Sequence, residues 1–192
     1  MASYENNSLT LGSSATLSQN LVIKSNTDGT FTIERQSGDD LLTISANGGV
    51  AVKGTTTNDS AAAGYVGEYK ETVLSSVAAP ASNQFGDVAS ISLTAGDWDV
   101  SAMGEWLLNG ATMTAQVYLG ISTTSGNSGS GMLNGDTITS TQPPQSTYYM
   151  PQHIVPKRFS LAAPTTLYLK LYSTYSAGAP LFSGRISARR IR

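Results

Sequence analysis

The chain of 192 residues contains no cysteine and one histidine, and only 12% of its residues are charged, against about 25% in an ordinary globular domain. Without cysteine there are no disulfides and no thiolate-bound metals. The single histidine, His153, falls short of the three or four ligands a zinc site takes, and no G-x-S-x-G elbow flanks a candidate nucleophile. A lone histidine between prolines reads as a surface residue. There is no Walker loop, and Gly64–Glu68 (GYVGE) neither follows a clear strand nor opens a helix, so it is no phosphate cradle. Asp39-Asp40 caps a turn and no EF-hand ligand pattern follows it. We therefore expect no cofactor and no metal.

The net charge of -2 gives nucleic-acid binding no electrostatic support. No apolar run reaches the roughly 18 residues of a membrane helix. The start, MASYENNSLTLGSS, lacks a basic stretch followed by an apolar run, so no signal peptide is expected there. Helices with a 3.6-residue period are missing too. Ser, Thr, Gly, Ala and Asn take the place of the charged residues, a composition that suits short strands and turns.

What is present is period-2 alternation. In Ser90–Trp106, Ile91 and Leu93 alternate with small polar residues, and Ala95-Gly96 breaks the run. Then Trp98, Val100, Ala102, Gly104 and Trp106 fall on one face, with Asp97, Asp99, Ser101, Met103 and Glu105 on the other. Both tryptophans thus point inward and are expected to anchor a core between two sheets, with a sugar-stacking platform as the alternative. Asp97, Asp99 and Glu105 are expected to be solvated. A carboxylate pair for glycoside hydrolysis is the competing reading.

Taken in order, residues 1–19 read as an extended attachment arm, rich in Ser, Thr and Asn, with one apolar beat at Leu9 and Leu11. Residues 20–54 read as a β-repeat stalk, with strands at 21–25, 31–35, 41–45 and 50–53 separated by turns such as Asp28-Gly29 and Asn47-Gly48. So thin a meander has no second layer for its apolar side chains, so it should be trimeric or docked on another subunit. Residues 55–63 form a linker and 64–192 the head. Strands are expected there at Tyr65–Tyr69, Glu71–Val77, Val88–Leu93, Trp98–Trp106, Thr112–Ile121, Ile138–Thr141, Ile154–Leu161, Thr166–Tyr172 and Leu181–Arg192. The fold class is therefore all-β: an arm and short stalk followed by a jelly-roll-like antiparallel sandwich.

Two irregular segments supply candidate contact residues. The Gly/Ser/Asn-rich stretch 122–136 carries Asn127 and Asn134, and 142–156 carries Tyr148, Tyr149, Met150 and His153 among prolines. Exposed tyrosine on a stiff loop suits contact with protein or glycan. The terminal Arg185, Arg189, Arg190 and Arg192 are candidate subunit contacts.

GYVGEY (64–69), SISLTAGDWDVS (90–101) and GRISARRIR (184–192) together resemble the C-terminal domain of tail and fibre structural proteins of bacteriophages and prophages, over roughly residues 58–192. The resemblance implies a β-sandwich head, commonly a homotrimer on a fibrous stem, in a virion protein without catalytic residues. It leads us to expect a small fibre for host attachment, docked through its arm on other virion proteins and touching host glycan or protein. A capsid decoration protein is the alternative, and a polysaccharide-cleaving fibre a distant third. Fibres of this kind carry a longer N-terminal attachment module than the short arm here, which leaves tail, neck and capsid all open as the mounting point.

Overall fold

The computed structural model describes residues 8–11, 15–16, 19–38, 40–54, 57, 59–127, 129, 137–141 and 149–192; for 9–11 and 137–141 only the backbone is described. Of the candidate contact residues, Asn134 and Tyr148 lie outside these. The chain is all-β and divides into two compact units, Met1–Asp59 and Ser60–Arg192.

The first unit is one five-stranded antiparallel meander: β1 (Ser8–Leu11), β2 (Leu21–Ser25), β3 (Phe31–Arg35), β4 (Asp40–Ile44) and β5 (Val50–Val52), in spatial order of sequence. Gly29 and Gly48 take φ of +84°, the left-handed backbone the two tight turns need. The beat at Leu9 and Leu11, read from sequence as part of an extended arm, pairs with β2 as an edge strand, Leu9 opposite Ile23 and Leu11 opposite Leu21. Pairing satisfies backbone groups that the polar composition alone gave no reason to order.

The register gives this sheet two unlike faces. Leu21, Ile23, Phe31, Ile33, Leu42, Ile44, Val50 and Val52 share one. Val22, Lys24, Thr32, Glu34, Thr43 and Ala51 share the other. The well-buried members, Val22, Thr32 and Glu34, belong to the second face, whereas Val50 is 63% and Val52 71% exposed on the apolar one. The first unit contains no second sheet among the described residues.

The second unit holds β6 (Tyr69–Ala78), β7 (Gln84–Leu93), β8 (Gly96–Leu107), β9 (Thr112–Ser122), β10 (Thr137–Thr141), β11 (Tyr149–Leu161), β12 (Thr165–Ser176) and β13 (Leu181–Arg190). The chain pairs as a nested ribbon: β9 with β10, β8 with β11, β7 with β12 and β6 with β13. Wound up, the ribbon gives two four-stranded sheets, β11-β8-β13-β6 and β10-β9-β12-β7. This is the jelly-roll topology of an antiparallel sandwich. Between the sheets lie Trp98, Trp106, Leu119, Leu167, Leu169, Leu171, Phe182 and Ile186, all fully buried. Trp106 Nε1 donates to Gln152 Oε1 at 2.9 Å and Trp98 Nε1 to the Thr94 carbonyl at 2.9 Å. Both tryptophans are core, and neither is available to stack on a sugar.

Two expectations are corrected here. Tyr65–Tyr69 is no strand: Tyr65 N–H donates to the Ala62 carbonyl and Glu68 N–H to the Tyr65 carbonyl, and β6 starts only at Tyr69. Gly64 and Gly67, at φ of +88° and +92°, turn the chain twice in that short span. Conversely, the strand expected from Ile154 already starts at Tyr149, so Tyr149 to His153 is strand rather than loop. Pro151 and Pro156 are tolerated because β11 is an edge strand, and the register shifts between Ile154 and Lys157.

Candidate functional site

Three constellations in the second unit use side chains that the core does not need. The first covers the outer face of β11-β8-β13-β6. Strand register places His153, Met103, Arg185 and Val73 in one row across the four strands. Beside it an open groove of about 720 Å³ is lined by Glu71, Val73, Met103, Glu105, His153 and Arg185, among others. Gly104 and Gly184 face each other in the groove wall. They are glycine because the Phe182 ring lies across them: a Cβ on Gly104 would stand 2.3 Å from Phe182 Cζ. Five large apolar side chains are exposed on this sheet, namely Tyr69, Val73, Met103, Tyr149 and Val155. The face also carries both signs of charge, with Arg185 3.8 Å from Glu71.

The candidate residues divide unevenly over this face. Tyr149, His153, Arg185 and Arg189 are exposed on it. Met150 is not a surface residue: it is buried in the core opposite Trp106, because alternation along β11 turns it inward. Arg190 is likewise buried, and its guanidinium is committed within the chain. Nε donates to Glu68 Oε2 at 3.0 Å, Nη1 to the Ala95 carbonyl at 2.9 Å and Nη2 to Thr94 Oγ1, with Cζ 4.3 Å from the centroid of the Trp98 ring. Gly64 N–H donates to the same Glu68 oxygen at 2.8 Å. Burial alone would raise the Glu68 carboxyl, but these donors outweigh it and leave its pKa lowered. Arg192, though exposed, donates through Nε to Asp97.

Asp97 is a further correction. It is buried, not solvated, and its Oδ2 also accepts from Arg158 Nη2 at 2.8 Å. Hydrogen bonds from Arg158 above all, then from Ser160 and Arg192, hold its carboxyl down at about 2. A carboxylate so paired is a clamp between β8, β11 and the C-terminus rather than a catalytic base. Asp99 and Glu105 lie on the outer face, half-buried and exposed respectively.

The second constellation anchors the start of the 122–136 stretch, where Asn127 is exposed. Lys170 is fully buried and donates from Nζ to Asp87 Oδ1 and to the Gly126 carbonyl, each at 2.5 Å. Asp87 Oδ2 accepts from Ser125 Oγ and Gly126 N–H, both at 2.7 Å. Burial pushes the Asp87 carboxyl up, but Lys170 and the two loop donors bring it below its ordinary value. The third is a row of aromatic rings on the same outer face of β10-β9-β12-β7. Tyr118 stands opposite Tyr172, and Tyr172 opposite Phe85, with centroids 5.2 and 4.7 Å apart. Neither the Lys170 clamp nor this row is named by the sequence reading. The outward alternation of Tyr168, Lys170 and Tyr172 was visible there, but their partners lie on strands about 50 to 90 residues away in the chain.

Among the described residues no group of three His, Asp or Glu is placed to hold a metal ion. Among them, too, no helix is long and apolar enough to cross a membrane.

No family model and no curated protein matches the chain. Among solved structures, the VP2 subviral particle of infectious bursal disease virus is similar at 11% identity and a TM-score of 0.38, over 99% of this chain and 53% of that one. The structures of the Gx and Gt strains of the same virus give 10% and 14% identity and TM-scores of 0.33 and 0.30, over 98% and 92% of this chain and 52% and 46% of theirs. The chain spans about half the length of these proteins. At TM-scores this low the likeness carries no argument about function.

Proposed function

We propose that this is a non-enzymatic structural protein of a bacteriophage virion, a self-associating small fibre whose jelly roll serves attachment to the host surface. One observation carries the reading: Tyr69, Val73, Met103, Tyr149 and Val155 are all exposed on one sheet of the sandwich. A monomer rarely leaves so many large apolar side chains on one face, so that face is a contact surface. It also mixes Glu71 and Glu105 with Arg185 and Arg189, as a surface that meets copies of itself around a symmetry axis requires. The apolar face of the first unit needs cover by the same argument, and three chains pooling such faces would supply it. The first 19 residues dock on other virion proteins. Jelly rolls occur in viral capsid and lectin domains, which suits the reading.

The test is the mass of the full chain in solution by light scattering. Three chains support the reading. A single chain at micromolar concentration overturns self-association and moves the capsid decoration reading ahead. That reading predicts that particles lacking the protein lose thermal stability while adsorption is unchanged.

A further inference from the structure

The outer face of β10-β9-β12-β7 carries chemistry that the self-association reading does not use. Sandwich sheets of this kind turn polar residues outward. Here Tyr118, Tyr172 and Phe85 form a continuous cross-strand row on three neighbouring strands, half-buried and packed edge-to-face or tilted. Cross-strand aromatic pairing stabilises a sheet modestly, and that accounts for the rings alone. It does not account for their flank. The Tyr172 hydroxyl donates to Asn83 Oδ1 at 2.6 Å and the Tyr118 hydroxyl to Gln116 Oε1 at 2.5 Å. Both amide oxygens are thereby engaged, which fixes each amide so that its NH₂ is the free end. Among the described residues neither NH₂ has an acceptor. Asn83 is further held by its own backbone, at φ of +65° with its N–H on the Ser173 carbonyl at 2.9 Å. On the other flank, Lys170 and Asp87 neutralise one another. Gly129 lies against Phe85, where a Cβ on it would stand 2.7 Å from the ring.

We infer that this row is a binding site for a neutral hexopyranose unit of a glycan. The apolar C–H face of a pyranose fits an aromatic surface, while its hydroxyls accept from fixed amide NH₂ groups and donate to tyrosine oxygens. With Lys170 and Asp87 paired to each other, the described residues offer no free cation to an acidic sugar. That the sugar belongs to the host surface rests on the attachment reading above; the site itself does not.

The experiment is saturation-transfer-difference NMR on the full chain with neutral trisaccharides of glucose, galactose and mannose, and a uronate trisaccharide for contrast. Saturation of ring C–H protons of at least one neutral sugar is expected, with affinity lowered about tenfold in Gln116→Ala and in Tyr172→Ala. Gln116 is exposed, so its variant keeps the fold even if Tyr172→Ala does not. No saturation of any neutral sugar, stronger saturation of the uronate, or saturation unchanged in Gln116→Ala overturns the inference. Sugar binding without any effect of Gln116→Ala on particle adsorption leaves the site standing and overturns the attachment reading instead.

Discussion

Asp97 and Gly104 occupy one strand and illustrate how differently single residues report their roles. The Asp97 carboxyl, held at about 2 against an ordinary 3.8, is ionised in the folded chain at pH values where the unfolded chain protonates it. Its contribution is complete above pH 3.8 and disappears as the pH falls through about 2. Glu68 and Asp87 are shifted in the same direction. The urea midpoint is therefore expected to fall steeply between about pH 4 and 2, and Asp97→Asn to flatten that slope. Equal slopes for the two proteins would remove the clamp from the account. For Gly104→Ala, the new methyl collides with both the Phe182 ring and the Ser183 carbonyl, the latter at 2.4 Å. Overpacking of this kind costs about 1–3 kcal/mol, read as a lowered midpoint in denaturant unfolding. The sequence placed Gly104 on the inward face with the tryptophans, but nothing local said that a ring from residue 182 would lie over it.

At the scale of elements, the strands with unbroken alternation were legible: β8 and β9 were expected within two residues of their observed ends, and β12 within four. The failures sit where another rule competes with alternation. At Tyr65–Tyr69 two glycines turn a β-rich stretch, and at Tyr149–Pro156 an edge position makes proline harmless. The clamp over β12 makes a directional prediction. Asp87→Ala strands the fully buried Lys170 charge and is expected to cost about 3–5 kcal/mol, whereas Lys170→Met leaves Asp87 partly exposed with its two loop donors and costs less. Asp87→Ala removes the acceptor of the Gly126 N–H, so that amide should exchange faster with deuterium, while Lys170→Met leaves the acceptor in place. Retained protection in Asp87→Ala would mean that the loop is held by something other than this pair.

For the whole molecule, the prediction concerns the two exposed apolar faces. Met103→Glu, at the centre of the β11-β8-β13-β6 face, keeps the core intact and is expected to lower the mass of the full chain in light scattering. Ile33→Glu does the same for the apolar face of the first unit. If mass is unaltered in both, the contact between copies lies elsewhere. The chain of residues 60–192 alone should retain the near-ultraviolet dichroism of Trp98 and Trp106, because the described residues of the core cluster around them lie within that unit.

By itself the sequence determined the class of this protein. Its alternating runs, scarce charge and missing helical period leave antiparallel sheets, and its lack of cysteine excludes disulfides and thiolate ligands from this chain. Alternation is a local property, so it can be read strand by strand. Pairing is not. Only the folded ribbon brings Lys170 to Asp87, 83 residues away, Arg190 to Glu68, 122 residues away, and three aromatic rings from three strands into one row. Those contacts depend on register between distant strands, which the order of residues along the chain does not display.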